Sequence, residues 1–284
     1  MTQIIIQGML LSGLYALIAM GFTLIFSVGR VLNLSYGVYL MVGGYIYFYF
    51  AQTIGLPKIA GLILAGLAGC AIGFLKYKLL VKPLKGDHEA VVISTLIVAV
   101  VIQAAVVLLF GDSSKILLPI VRGVVYVGGA AVTYNLLAAT LCSWLILISL
   151  YFFVQKTHVG RAMQAVSMDA KGAAISGINP DKINLVTWCI SGALGTVAGV
   201  FFASYTQLSP TMWVAPLIIS VAVVIVGGIG SIIGTLIVAH IVGFLEILSI
   251  AFVAPELRRV FTMLLIILVL VFRPKGLFGR EEIH

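Results

Sequence analysis

The sequence predicts an all-α, polytopic membrane fold of about eight or nine transmembrane or re-entrant helices, arranged as one domain over residues 1–284. Three observations predict it. Hydrophobic residues make up 62% of the chain and charged residues 9%, and mean hydropathy is +1.22, a balance that excludes a water-soluble globular domain. Long apolar runs recur near 4–28, 33–53, 59–80, 90–110, 136–154, 183–206, 212–229, 231–250 and 257–272. Each approaches the roughly 20 helical residues that cross hydrocarbon, where backbone groups must pair internally; the roughly 10-residue alternating segments of a β-barrel are missing. Finally, the basic residues sort by loop. Arg30, Lys76, Lys78, Lys82, Lys85, Lys156, Arg161, Lys171, Lys182, Arg273, Lys275 and Arg280 fall on one side of a single threading, and only Lys58, Lys115, Arg122, Arg258 and Arg259 on the other. The formal charge of +8 is therefore a topology signal and not a nucleic-acid footprint. The richer side is cytoplasmic, with the C-terminus inside and the N-terminus outside.

The opening "MTQIIIQGMLL" has no basic start and no small-residue cleavage site, so it reads as the first span and not as a removed leader. The second run carries "NLSYGVY" at 33–39, where Asn33, Ser35, Tyr36 and Tyr39 place hydrogen-bonding groups beside Gly37. A helix broken there would aim backbone donors at a carboxylate; ordinary interhelical packing is the other reading. Between the third and fourth runs, "KYKLLVKPLKGDHE" (76–89) is a basic connector beside the headgroups. His88 lies between Asp87 and Glu89, but adjacent side chains diverge and no further ligand is near, which argues against a metal.

The stretch 111–135 is an external loop whose β-branched run and Gly128-Gly129 suit either a short hairpin or a helix lying on the membrane. Glycines cluster at 37–45 and in "VGGIGSIIG" at 226–234. Inside lipid they let helices approach closely, or let one break beside a cavity, which makes Gly227 and Gly228 candidates for a solute path. No βαβ context supports a dinucleotide site. Glu246 is the one acid well inside a span, six residues after His240 and on a different face; it is a helix-interface or pathway residue. Cys70, Cys142 and Cys189 fall in separate spans and read as free thiols.

The most polar long stretch is 157–183, with 157–180 forming a cytoplasmic segment of its own. From Arg161 to Ser176 the pattern is one amphipathic helix, with Met163, Val166, Ala170 and Ala174 on one face and Arg161, Gln164 and Lys171 opposite. Gly177 stops it, Asn179 caps the next helix, Pro180 takes its first position and Asp181 adds charge to its N-terminus. Met168 on the polar face suits insertion into a partner's groove; a helix resting on headgroups is the alternative.

"GRAMQAVSMDAKGAAISGIN" resembles the coupling segment of the permeases of ATP-binding-cassette importers, in particular the branched-chain amino-acid permease family of the LivH type. Residues 13–45, 226–246 and 264–280 resemble the same family in the same order. The resemblance implies a permease of the second (type II) importer architecture in a bacterial inner membrane. It implies as partners a homologous permease of the LivM type or a second copy, two cytoplasmic ATPase subunits, an external substrate-binding protein, and membrane lipid. No cofactor is expected in the chain itself, since ATP and Mg belong to the ATPase subunits. It further implies that Arg161, Met168, Asp169 and Lys171 contact the ATPase while the corner beginning at Gly177 transmits its motion. Where the family commonly has Asn-Phe-Ala-His-Gly-Glu, this chain has Ser35, Tyr36 and Val38 at the Ala, His and Glu positions. That leaves open a branched-chain amino acid, a more apolar or aromatic carboxylate, or a neutral amide such as urea.

The chain contains no GxxxxGK[ST] phosphate loop, so it is not itself an ATPase of that kind. Two readings in different classes remain: an importer subunit driven by separate ATPases, and a stand-alone channel or secondary carrier. Co-purification of a nucleotide-binding partner distinguishes them.

Overall fold

The computed structural model describes residues 2–127, 130–228, 230–254, 257–273 and 276–278. Eleven helices occur among them: α1 (Thr2–Gly29), α2 (Tyr36–Tyr47), α3 (Lys58–Lys76), α4 (His88–Phe110), α5 (Tyr134–Lys156), α6 (His158–Met168), α7 (Ala170–Ile175), α8 (Pro180–Tyr205), α9 (Val214–Gly227), α10 (Ile232–Phe252) and α11 (Arg258–Phe272). Single π-helical turns extend α2 (Phe48–Thr53) and α3 (Tyr77–Val81). Six helices are long and apolar enough to cross a membrane, so the chain is a multi-pass membrane protein.

The core is built around α1, which is buried over most of its length, and α8. Helices α2, α3 and α10 pack on these two, while α3, α4 and α5 turn rows of Leu, Ile and Val outward. In lipid such faces cost nothing, so attraction between helices must come from close packing. Glycine supplies it. A Cβ on Gly73 would overlap the Trp188 carbonyl, one on Gly69 the Gly192 carbonyl, and one on Gly43 the backbone of Thr196. The α3–α8 and α2–α8 seams are thus backbone-to-backbone contacts that no larger residue admits.

Two of the apolar runs do not form complete spans. The run 33–53 becomes helical only at Tyr36, and 212–229 only at Val214. Tyr36 donates its hydroxyl to the Ile18 carbonyl at 2.8 Å. Ile18 lies 12 residues before Arg30 at the end of α1, about 18 Å along the helix axis, so α2 starts near the middle of the bundle. Residues 31–35 climb there without helical bonds of their own. They are held by side chains instead: the Leu34 amide donates to Thr95 Oγ1 and the Ser35 amide to Asn33 Oδ1. Helix α9 starts at the same level, because Gly37 lies directly against the Trp213 carbonyl and Trp213 Nε1 donates to Gln103 in α4. The N-termini of α2 and α9 therefore meet inside the bundle.

Side-chain bridges define the two ends. At one, Arg30 reaches α6, and Lys85 pairs with Asp181 at 2.5 Å. At the other, Lys58 donates to the carbonyls of Pro119 and Ile120, and Lys115 pairs with Leu208 through backbone bonds. The stretch 111–135 takes the hairpin alternative: β1 (Val124–Val127) and β2 (Ala130–Thr133) are antiparallel, with Val124 opposite Thr133. Gly128 and Gly129, read as its turn, lie outside the described residues. Asn135 staples this loop inward, accepting from the Ile120 amide and donating to Ser204 in α8.

Candidate functional site

The polar stretch 157–180 forms a crosspiece over one end of the bundle, and it departs from the single amphipathic helix expected. Asp169 leaves helical geometry (φ −150°, ψ 107°) and its carboxylate caps α7, accepting from the Lys171 amide at 2.9 Å. A short acidic side chain that bonds its own backbone competes with helix continuation, and here it wins. The break resets the phase. Met163, Val166 and Ala173 are buried against Val28 at the end of α1 and Ile178 and Ile183 at the start of α8, whereas Ala170 and Ala174, expected on the buried face, are exposed.

The stop after α7 follows the expected signals. Gly177 has φ +84°, and its amide and that of Ile178 donate to the carbonyls of Ala174 and Ala173, the paired bonds of a Schellman motif. Asn179 Oδ1 then accepts from both the Asp181 and Lys182 amides, with Pro180 in the first turn. Two caps back to back leave little freedom at this corner. On the outward face, Arg161, Asp169 and Lys171 are exposed, Met168 is 66% exposed and Ile175 89%. Next to the corner a shallow notch of about 350 Å³ is lined by Lys85, Ala174, Asn179 and Asp181.

A clamp that the sequence did not announce ties this crosspiece to the core. Arg30 adopts φ +50°, the left-handed region that costs a non-glycine residue about 1 kcal/mol. Its guanidinium donates to the carbonyls of Ser167 and Met168 at 3.3 and 3.2 Å. These are among the unpaired last carbonyls of α6, where a cation is favoured. The chain running on from Arg30 leads directly into Asn33 and α2.

Asn33, Ser35, Tyr36 and Tyr39 lie together as a buried cluster. Ser35 stands at the cap position of α2, yet its hydroxyl does not cap the helix. It donates to Asn33 Oδ1 at 2.7 Å and accepts from Lys76 Nζ at 2.9 Å. Lys76, read from the sequence as part of a basic connector, is in fact 4% exposed, and its ammonium lies 4.0 Å from the centre of the Tyr39 ring. Gly227 and Gly228 are not part of this cluster. They close the turn from α9 to α10, Gly227 against Gly234 and Gly228 (φ +91°) beside Gly276, at the far end of α9, about 21 Å from its start.

Glu246 is buried in the α1–α10 interface and accepts from the Tyr15 hydroxyl at 2.5 Å. His240 faces the other way, against Trp144, into an open apolar groove of about 640 Å³ between α5 and α10. Asp87, beside His88, caps α4 by accepting from the Ala90 amide. The three cysteines are free thiols.

Comparison with known proteins gives the geometry a family. The sequence profile described as "Branched-chain amino acid transport system / permease component" matches residues 4–270. The chain is 29% identical to the high-affinity branched-chain amino acid transport system permease protein LivH of Salmonella typhimurium, over 99% of this chain and 96% of that one. It is 29% identical to the permease protein BraD of Pseudomonas aeruginosa over 99% and 97% of the two chains. A shorter likeness, 33% identity over 34% of this chain, links it to the ribose import permease protein RbsC of Haemophilus influenzae. No solved structure matches the chain. With a profile that covers nearly the whole length and full-length relatives on both counts, the chain belongs to the permease-component family of branched-chain amino acid transport systems.

Proposed function

We propose that the chain forms half of the translocation path of an ATP-binding-cassette importer for branched-chain or other hydrophobic amino acids, or a related small carboxylate. It is paired in the bacterial inner membrane with a homologous permease or a second copy of itself. Two ATPase subunits, holding ATP and Mg, grip the α6–α7 crosspiece on the cytoplasmic side, and an external binding protein delivers solute at the hairpin end. The C-terminus is cytoplasmic by the asymmetry of basic residues.

The observation that carries this reading is the crosspiece itself. It is anchored by a small buried face, locked at its exit by the Gly177–Asn179 corner, and clamped to α1 by Arg30, while Met168 and Ile175 project beside exposed Arg161, Asp169 and Lys171. An amphipathic helix that only rested on headgroups would turn its apolar side chains toward lipid and would need no rigid corner. Closure of the ATPases would push Met168, flanked by Arg161, Asp169 and Lys171, and the Gly177 corner would pass that movement to α8. Simultaneous charge reversal at Asp169 and Lys171 tests this. Loss of ATPase co-purification and of ATP-driven uptake, with the permease still folded, is the expected result; unchanged association and uptake would remove these residues from the interface.

A further inference from the structure

We infer that Lys76, the N-terminus of α2, Asn33 and Tyr39 form a binding site for the carboxylate of the transported solute. The inference rests on the importer reading above and assigns the chemistry that its path selects.

A lysine inside a membrane bundle is costly unless an opposite charge or several acceptors satisfy it. Among the described residues Lys76 has no carboxylate partner; its ammonium is met by the Ser35 carbonyl at 3.3 Å, the Ser35 hydroxyl and the Tyr39 ring face. The groups around it are donors in excess. Asn33 Nδ2 and the Tyr39 hydroxyl are both buried without a hydrogen-bond partner. The Asn33 amide is oriented by its own oxygen, which both the Ser35 amide and the Ser35 hydroxyl occupy, so the orphan is the NH₂ and not the carbonyl. Because the Ser35 hydroxyl is diverted to Asn33 and Lys76, the first turn of α2 has no side-chain cap, and a helix start carries positive potential.

Buried donors left unpaired are costly, and two beside a cation with no carboxylate partner are an arrangement that an anionic oxygen pair resolves. A carboxylate accepts from donors of each of these kinds. The position also fits a path. Lys76 sits near the end of α3, and because helical side chains lean toward the N-terminus, its ammonium rises toward the level where α2 and α9 begin. The Tyr36–Tyr39 end of α2 covers the lysine. A neutral amide such as urea carries no charge to offset Lys76, so the site favours a carboxylate over it.

The test uses the assembled importer with its external binding protein in right-side-out vesicles that contain ATP, with Cys70, Cys142 and Cys189 replaced by alanine. Lys76→Met is expected to lose at least about tenfold in uptake of leucine, the scale of a charge-assisted contact, with the complex still assembled. Lys76→Cys should likewise fail, recover after 2-aminoethyl methanethiosulfonate restores a cation, and stay inactive after the neutral ethyl reagent. During ATP turnover, 4-methylpentanoate should slow that modification, whereas leucinamide and methyl phosphate, the latter standing for a lipid headgroup, should not. Wild-type vesicles without ATP-driven uptake would overturn the importer reading. Normal uptake by Lys76→Met, equal protection by amide and acid, protection by methyl phosphate, or no modification during turnover would overturn this inference alone.

Discussion

Removing the Arg30 guanidinium should uncouple the crosspiece from the core without unfolding the bundle. Arg30 donates two hydrogen bonds to α6 carbonyls at 3.2 and 3.3 Å in an exposed setting. Cation-to-carbonyl bonds contribute about 1.5–3 kcal/mol each where water is excluded, but exposure and the modest lengths reduce the pair to about 1–2 kcal/mol in total. Alanine keeps the left-handed backbone cost while losing this gain. The balance between docked and undocked crosspiece then shifts by a factor of about 5–30 toward undocked. In proteoliposomes of the complete importer, Arg30→Ala should lower solute uptake per ATP hydrolysed by up to about that factor, while the permease still melts cooperatively with its thermal midpoint lowered by about 2–8 °C. Arg30→Lys, a point charge without the planar fork, should fall between the two. An unchanged ratio of uptake to hydrolysis in Arg30→Ala would refute the reasoning, as would a collapse of the folded protein.

Other substitutions probe other parts. Asn179→Ala removes the double cap of α8 and should cost about 1 kcal/mol, seen as a fall of about 2–4 °C in the melting midpoint in detergent; no change would mean the cap is redundant. Gly73→Leu drives a side chain into the Trp188 carbonyl and should destabilise by about 3 kcal/mol or more, read as loss of the monodisperse peak in size-exclusion chromatography. Retention of that peak would show that the α3–α8 seam yields. Glu246→Gln keeps an acceptor for Tyr15 and should leave uptake within about threefold, whereas Glu246→Leu removes a charged acceptor of the Tyr15 hydroxyl and should lower stability by about 1–3 kcal/mol. Lost uptake with unchanged stability in Glu246→Gln would make Glu246 a pathway residue instead.

Much of the architecture is legible from composition because lipid imposes a length on every apolar run: 90–110 was extended by two residues at its start, and 136–154 by two at each end, in the helices 88–110 and 134–156. The corner at Gly177–Asn179 is legible for a local reason, since its caps involve residues two to five positions apart. Depth is not legible. Lys76 and Lys78 look alike in sequence, yet one is buried and the other exposed, because which way α3 turns depends on its glycine seam with α8. The break before α2 was one of two readings of 33–39, but the late start of α9 escaped notice because an extended apolar climb and a helical one have the same hydropathy. Asp169 carried a signal that was open to reading: an acid two residues before the amide it caps marks a helix start even inside an amphipathic pattern. The Glu246–Tyr15 bond and the Arg30 clamp join residues 231 and about 137 positions apart, and no local pattern encodes such a pair.

The most direct measurement is a disulfide cross-link between Met168→Cys and a cysteine placed in the groove of the co-expressed ATPase subunit. Formed in inside-out vesicles and altered in yield by ATP, it would place the motor on the crosspiece as proposed. A Met168→Cys that is labelled by a membrane-impermeant maleimide only from the outside, or that cross-links to no ATPase cysteine while uptake proceeds, would contradict the account.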